Sequence, residues 1–225
     1  MCVLDLVDSG KLSLDQKIHI RKKDLLEDTW SPLREKYPKG NIDLTIGELL
    51  EYSVSQSDNN ATDILFRLVG KPHVVENYLR RIGIKAITIY KNEEQMHERW
   101  DAQFRNWCEP IWMAKLLQVF YERKYLSPVS SDFLWKLMTE SKNSAKRIRG
   151  LLPPETVVAH KTGSSGSNDA GISAATNDVG IITLPNGKHV AIVVYVSMTK
   201  LKLEESEMII ARISKAVWDY FIAKQ

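Results

Sequence analysis

Apolar residues recur at helical spacing through the first two thirds of the chain and then give way to β-rich runs. Helices are predicted over 1–7, 46–54, about 60–70, about 72–82, 110–120 and 131–139. Strands are predicted at 156–159, 179–184 and 190–196. The last two form a hairpin, because Asn186-Gly187 between β-rich runs is the strongest short-range hairpin signal.

A final amphipathic helix is predicted over about 204–222, with an apolar face that would pack on the sheet. The residues of that face are Met208, Ile209, Ile213, Val217 and Phe221. Helices followed by strands and one more helix indicate an α+β fold. We expect a mainly helical part over 1–155 and an antiparallel sheet with the C-terminal helix over 156–225, interleaved as one domain. A polar and aromatic loop over 91–109 is long enough to predict a functional role.

Composition and charge narrow the possible partners. The 225 residues include 31 basic and 28 acidic side chains spread along the chain, a net charge of +3, without the clustered basic face that nucleic acids require. No stretch approaches the roughly 18 apolar residues of a membrane span, and no secretory signal opens the chain, so a cytoplasmic location is expected for the chain as written. Cys2 and Cys108 lie far apart and the histidines are scattered, so we predict no disulfide, metal site or cofactor.

Three short polar segments are the candidates for chemistry, and each has a structural alternative. Ser57-Asp58-Asn59 lies between two predicted helices, where an N-cap is the ordinary interpretation. Glu93 lies in the long loop and is by default a solvated carboxylate. Lys161-Thr162-Gly163 could hold an anionic ligand on an edge strand, because glycine allows close backbone approach beside a cation and a hydroxyl. The alternative there is a strand that enters a flexible Ser/Gly loop.

In this order and spacing, the three segments resemble the class A β-lactamases of the penicillin-recognising serine hydrolase family. The resemblance extends over all 225 residues and includes the loop over 91–109, hereafter the omega-type loop. It implies an α+β fold with an all-helical subdomain and an antiparallel sheet flanked by helices. Within this family, the sequence around Glu93–His97 and Arg105–Trp107 is most similar to the branch that hydrolyses cephalosporins efficiently.

The resemblance also implies a mechanism and a role for several residues. A serine attacks the lactam carbonyl, and Glu93 activates the water that hydrolyses the acyl-enzyme. Ser57 would relay a proton to the lactam nitrogen, and Lys161 would hold the substrate carboxylate by its charge. The implied substrate contacts also include Asn59, Thr162, Gly163 and Ser164. The implied partner is a penicillin or a cephalosporin.

Three further substrate contacts are implied more loosely. Trp30 matches the aromatic wall at the mouth of the site, although a core tryptophan is equally compatible with the sequence. Arg147 matches a carboxylate-binding arginine of some members, with a solvated surface arginine as the alternative. His97 departs from the commoner asparagine of the family but is shared with the branch resembled. Lys91 and Asn106 stand where an Arg/Asp pair usually pins the loop.

The family's nucleophile lies in Ser-x-x-Lys at the start of a helix, and Met1–Val7 match the remainder of that helix. We therefore expect the serine and its lysine to lie before Met1, together with an N-terminal helix and two strands of a five-stranded sheet. Ser197-Met198-Thr199-Lys200 is a coincidental match, because residues i and i+3 of a strand point to opposite faces. The chain alone is expected to be inactive.

Completion of the N-terminus would make the protein an exported or periplasmic enzyme by family resemblance, and a monomer. Two other functions are also compatible with the sequence. A penicillin-binding transpeptidase or serine glutaminase would share the fold, although Glu93 argues against both. A non-catalytic remnant or β-lactam-binding module would keep Ser57, Asn59, Lys161 and Thr162 only as a polar pocket.

Overall fold

The computed structural model describes residues 1–141 and 145–224. The helices of these residues are α1 (Cys2–Asp8), α2 (Pro32–Lys36), α3 (Ile46–Ser55), α4 (Asn59–Val69), α5 (Pro72–Arg81), α6 (Glu93–Met96), α7 (Pro110–Tyr121), α8 (Pro128–Thr139) and α9 (Leu203–Ile222). The strands are β1 (Lys17–Ile20), β2 (Ile42–Thr45), β3 (Ile87–Thr88), β4 (Trp107–Cys108), β5 (Val158–Ser164), β6 (Ser173–Thr183) and β7 (His189–Thr199). The predicted α+β class is confirmed.

The main sheet is antiparallel, with the order β5-β6-β7. Lys161 lies opposite Val179, which lies opposite Val193 on β7. The predicted hairpin joins β6 to β7, and Gly187 adopts a φ of 79° there, which an L side chain rarely allows. Strand β5, which contains Lys161-Thr162-Gly163, is an edge strand, as the sequence predicted.

Two small antiparallel pairs were not predicted. Strand β1 pairs with β2, and β3 pairs with β4 at the two ends of the omega-type loop. Each strand has four residues or two, which is too short for an alternating pattern to be recognised. The loop itself contains α6 and a 3₁₀ helix over Trp100–Arg105, so it has more regular structure than the sequence indicated.

The hydrophobic core lies on both faces of the main sheet. On one face, residues of the helical part such as Leu49, Ala61 and Leu137 share a cluster with Ala159 and Ile181 of the sheet. On the other face, Ile148, Ile182, Ile192, Ile210 and Trp218 form a second cluster beneath α9. The sheet is therefore a rigid wall between two packed layers, and the active-site segments lie along its β5 side.

The face of α9 that packs on the sheet differs from the prediction. Ile210, Ala211, Ser214 and Trp218 are buried against the sheet, whereas Met208, Ile209, Ile213 and Phe221 are 37–42% exposed. The apolar residues occupy more than one side of this helix, so spacing alone did not distinguish the packed side. No helix of the described residues has the length and apolar content needed to cross a bilayer.

Candidate active site

Ser57-Asp58-Asn59 forms the junction between α3 and α4. Asp58 is fully buried, and its carboxylate accepts hydrogen bonds from the N–H groups of Ala61 (2.8 Å) and Leu33 (2.7 Å). It is the N-cap of α4, so the capping interpretation is confirmed for Asp58. Ser57, held beside this anchor, has a φ of 57°, an unfavourable conformation for a residue with a side chain. Strained residues that the surroundings hold in place are typical of functional sites.

Lys161 connects β5 to this junction. Its Nζ donates hydrogen bonds to Ser57 Oγ and to the carbonyl oxygen of Thr162, the latter at 2.6 Å. The pKa of Lys161 is lowered to about 8, chiefly by burial and also by the charge of Arg147, while the carboxylates of Glu93 and Asp178 oppose this effect. A lysine whose pKa lies this near neutrality can hold a negative ligand group and can also exchange a proton with the hydroxyl it contacts.

Glu93 begins α6 within the omega-type loop. The pKa of its carboxyl is raised to about 7, chiefly by burial and also by the nearby charge of Asp63, while Lys161 opposes the increase. The alternative of a solvated carboxylate is therefore wrong. A general base is most effective when its pKa is near the operating pH, so Glu93 has the protonation behaviour of a catalytic acid or base.

Asp63, which the sequence analysis missed, holds Glu93 in place. Its carboxylate accepts hydrogen bonds from the N–H groups of Glu93 (2.8 Å) and Glu94 (2.9 Å), and from Asn92 Nδ2 (3.0 Å). Burial raises the pKa of Asp63 as well. In the sequence, Asp63 is one polar residue within a helix, and no pattern marks it as the anchor of a loop that lies about 30 residues further along the chain.

Asn106 closes the neck of the omega-type loop. Its Oδ1 accepts hydrogen bonds from the N–H groups of Tyr90 (2.8 Å) and Lys91 (2.9 Å), and its Nδ2 donates to the Lys91 carbonyl (2.9 Å). The Lys91 side chain instead forms an ion pair with Glu98 at 3.0 Å. Lys91 and Asn106 therefore do interact, but through an amide and a backbone segment and not through two charged side chains.

A polar bridge crosses the mouth of the site. Thr29 Oγ1 accepts a hydrogen bond from Asn59 Nδ2 at 2.7 Å and lies 3.2 Å from Nε2 of His97 in the omega-type loop. Trp30, beside Thr29, is 55% exposed and donates from Nε1 to the Gln56 carbonyl at 3.0 Å. The alternative of a core tryptophan is therefore wrong. Three predicted substrate contacts, at positions 30, 59 and 97, lie within this one network.

Arg147 is buried behind the C-terminal end of β5. Only 3% of the residue is exposed, so the alternative of a solvated surface arginine is wrong. Its guanidinium donates to the carbonyl oxygens of Gly163 (2.9 Å) and Asn177 (2.8 Å), and to Ser164 Oγ (2.6 Å). An ion pair with the buried Glu207, at 3.3 Å, compensates its charge. Arg147 supports the strand that contains Thr162, Gly163 and Ser164.

A cavity of about 560 Å³ opens beside Lys161. Its lining includes Thr162, Gly163, Asn177, Tyr195 and Cys108, and also Ser197 of β7. Ser197 lies within a strand and not at the start of a helix, which supports reading Ser197-x-x-Lys200 as coincidence. The described residues contain no cluster of three or more histidine, cysteine, aspartate or glutamate side chains with the arrangement of a metal site.

The grouped side chains are suited to proton transfer around an anionic substrate. A carboxyl with a pKa of about 7 and a lysine with a pKa of about 8 interact electrostatically, and the lysine contacts a serine hydroxyl. Arg147 and Lys161 add positive charge near Thr162 and Ser164. Such an arrangement can deprotonate a water molecule and stabilise a negatively charged substrate group beside it.

Comparisons with known proteins agree with this arrangement. Residues 1–221 match the model of the beta-lactamase enzyme family. The chain is 47% identical over 226 residues to beta-lactamase VEB-1 of Pseudomonas aeruginosa. The alignment covers 100% of this chain and 75% of that protein.

Solved structures with the same fold include TLA-1 extended-spectrum β-lactamase, with a TM-score of 0.96, 53% identity and coverage of 98% of this chain and 80% of that one. A β-lactamase from Chitinophaga pinensis matches with a TM-score of 0.95, 54% identity and coverage of 97% and 80%. A family match over nearly the whole chain, supported by relatives of this identity, decides the classification. The chain belongs to the β-lactamase enzyme family, and within it to class A, whose members are hydrolases that act on β-lactam antibiotics.

Proposed function

We propose that this site catalyses the deacylation half of β-lactam hydrolysis, with Glu93 as the general base. The observation that supports the proposal is the half-buried Glu93 carboxyl, whose pKa of about 7 allows it to accept a proton near neutral pH. Glu93 takes a proton from a water molecule, and the water oxygen attacks the ester carbonyl of the acyl-enzyme. The ester C–O bond then breaks, and the serine oxygen recovers a proton.

Acylation, in the same proposal, depends on a serine that opens the lactam ring. The serine oxygen bonds to the lactam carbonyl carbon, the C–N bond breaks, and the nitrogen receives a proton through Ser57. Lys161 supports Ser57 by direct contact and attracts the substrate carboxylate together with Thr162 and Ser164. Asn59, Trp30 and His97 would contact the substrate's side chain at the mouth of the site.

We infer further that the 225 residues alone bind a β-lactam without acylation. The only Ser-x-x-Lys in this sequence is Ser197–Lys200, and its serine lies within strand β7. Lys161 already donates a hydrogen bond to Ser57, so it is not available to activate Ser197. The nucleophile would be supplied by a Ser-x-x-Lys segment that is not among these residues. Export from the cytoplasm and a monomeric state stay predictions from the family.

The substrate range is proposed to include cephalosporins with bulky side chains. The similar protein TLA-1 is an extended-spectrum β-lactamase. In this chain, the Thr29 bridge joins Asn59 to His97 at the mouth of the site, so both walls of that mouth are fixed relative to each other. Comparison of kcat/KM for a small penicillin and a bulky cephalosporin would test this part.

The deciding experiment compares the chain alone with the same chain joined at Met1 to the Ser-x-x-Lys segment of a β-lactamase relative. Intact mass is measured after brief exposure to benzylpenicillin, and turnover is followed by absorbance. We expect no adduct on the 225-residue chain and catalytic turnover by the joined protein. In the joined protein, Glu93→Gln is expected to accumulate the acyl-enzyme and to lose about 10³-fold in turnover, within the range of general base catalysis.

Glu94→Gln is the matched control, because Glu94 is the exposed neighbour of Glu93 in α6. It should leave turnover within a factor of about two, as expected for a surface substitution. Parental turnover in Glu93→Gln would reject the role of Glu93. A stoichiometric adduct on the 225-residue chain would reject the inference that it cannot be acylated.

A further inference from the structure

A buried pair of titratable side chains lies directly behind the substrate-binding strand. His160 and Asp178 are both fully buried, and Nδ1 of His160 lies 3.0 Å from each carboxylate oxygen of Asp178. Successive side chains of a strand alternate between faces, so His160 lies on the face opposite to that of Lys161. Because both side chains are fully buried, the pair contacts no substrate and takes no direct part in the proposed chemistry.

Asp178 joins β5 to the segment that contains Arg147. Besides His160, its carboxylate accepts a hydrogen bond from the N–H of Ile148 at 3.1 Å. Arg147, the preceding residue, donates to the carbonyl of Gly163 on β5 and to that of Asn177 on β6. One carboxylate thus fixes the position of β5 through His160 and the position of the arginine through Ile148.

The close fit of β6 against His160 shows that this arrangement is tightly constrained. Gly180 lies opposite His160 in the strand register, and a Cβ atom at Gly180 would lie 2.6 Å from the Cβ of His160. Glycine is therefore required there for His160 to keep its place beside Asp178. A histidine held this closely on both sides has little freedom to rotate.

The two ring nitrogens of His160 have different surroundings. Nδ1 faces the carboxylate of Asp178, and a carboxylate can only accept a hydrogen bond, so Nδ1 is the donor. Nε2 is buried and has no partner among the described residues. The geometry therefore assigns a proton to Nδ1.

We propose that His160 and Asp178 are positioning residues that hold strand β5, and with it Lys161, against Arg147 from the buried layer behind the strand. The consequence for ligand binding rests on the proposed function, whereas the arrangement of the pair does not. Asp178 is also one of the charged groups that act on Lys161, together with Glu93 and Arg147. Loss of the Asp178 charge should therefore change Lys161 as well as the strand.

The first test uses the unaltered 225-residue chain with ¹⁵N-labelled histidine. NMR of the imidazole nitrogens shows which of the two carries a proton. We expect a proton on Nδ1 of His160, in a hydrogen bond to Asp178. A proton on Nε2 alone would overturn the proposal. This measurement needs neither a variant nor a substrate.

The second test compares Asp178→Asn with Asp219→Asn, which removes the same charge from an exposed ion pair on α9. The pKa of Lys161 is measured by NMR of ¹³C-labelled lysine, and the Kd for benzylpenicillin by calorimetry. Asp178→Asn is expected to lower the pKa of Lys161 and to weaken binding on the order of tenfold, which corresponds to one pKa unit of interaction. Asp219→Asn should change neither.

A merely structural role for Asp178 would reduce the unfolding temperature but would leave the pKa of Lys161 unchanged in the folded state. An unchanged pKa in a folded Asp178→Asn chain therefore overturns the proposal. If the variant does not fold, the histidine tautomer in the unaltered chain decides. If the chain binds no β-lactam at all, the proposed function fails, while the tautomer and the lysine pKa still decide the positioning role.

Discussion

The two sides of the active site, one on strand β5 and the other on the omega-type loop, are held by different kinds of contact. Lys161 lies in a strand whose seven residues all pair with β6, and buried Arg147 and Asp178 support that strand from behind. Glu93 lies in a four-residue helix that is held by the side chains of Asp63 and Asn106. The strand side is thus part of the core, whereas the loop side is held by a few hydrogen bonds from individual side chains. Substitutions should damage the two sides in different ways.

The largest effect on stability is expected from Arg147→Ala, which removes the contacts that support strand β5. It leaves the buried Glu207 carboxylate without its partner and frees the carbonyl groups of Gly163 and Asn177. Removal of one partner of a buried ion pair costs about 3–5 kcal/mol in the free energy of unfolding. Urea unfolding measures this change. The control is Arg212→Ala on the exposed side of α9, and a loss below about 1 kcal/mol for Arg147→Ala would show that the strand does not depend on this arginine.

A smaller effect, which depends on pH, is expected on the loop side. The pKa of Glu93 is raised from its ordinary value to about 7 in the folded chain. Its contribution to stability is therefore fully present below about pH 4.5 and is lost as the pH rises through 7. Glu93→Gln cannot ionise and should stabilise the chain by about 3 kcal/mol at pH 8, with little change at pH 4.

Urea unfolding at both pH values checks this prediction. Lys161 attracts the ionised carboxylate of Glu93, so the increase in stability on substitution by glutamine is smaller than burial alone would give. Glu94→Gln is the control, since Glu94 is exposed and should show no such pH dependence. A Glu93→Gln chain that is less stable than the parent at pH 8 would contradict the assigned burial of this carboxyl.

The smallest effect is expected from Thr29→Val, which removes the bridge between the two sides of the mouth. The hydroxyl contacts both Asn59 and His97, and its loss should cost about 0.5–1 kcal/mol, the net value of an exposed hydrogen bond. Hydrogen exchange should become faster at the amides of the omega-type loop and stay constant in β5 and β6. Thr29→Ser keeps the hydroxyl and should resemble the parent, while faster exchange in β5 would mean that the sides are not independent.

The same contrast explains which features could be predicted from the sequence. The hairpin at Asn186-Gly187, the helix that begins at Pro110 and the strand that leads into Lys161 follow from local rules of turn and pattern. Asp63 and the His160–Asp178 pair could not be predicted. Their roles depend on contacts between distant segments, and one sequence contains no signal for such contacts.

The face of α9 illustrates a second limit of the sequence. Apolar residues surround much of that helix, so helical spacing identified the element but selected Met208 and Ile213 over the truly buried Ala211 and Ser214. Small residues are the ones that allow the helix to approach the sheet closely, and a count of large apolar side chains overlooks them. Packing against a particular surface, more than hydrophobicity, decided which face is buried.

The uncharged side chain of Asn106 determines how the neck of the omega-type loop responds to salt and pH. A charged pair at the neck of the loop would weaken in concentrated salt and at extreme pH, because mobile ions screen exposed charges within about 10 Å at 0.1 M ionic strength. The amide of Asn106 bonds only to backbone groups and to Met96 sulfur, none of which ionises. The neck of the loop can therefore stay closed when Glu93 gains or loses a proton, and when the salt concentration or the pH of the solution changes.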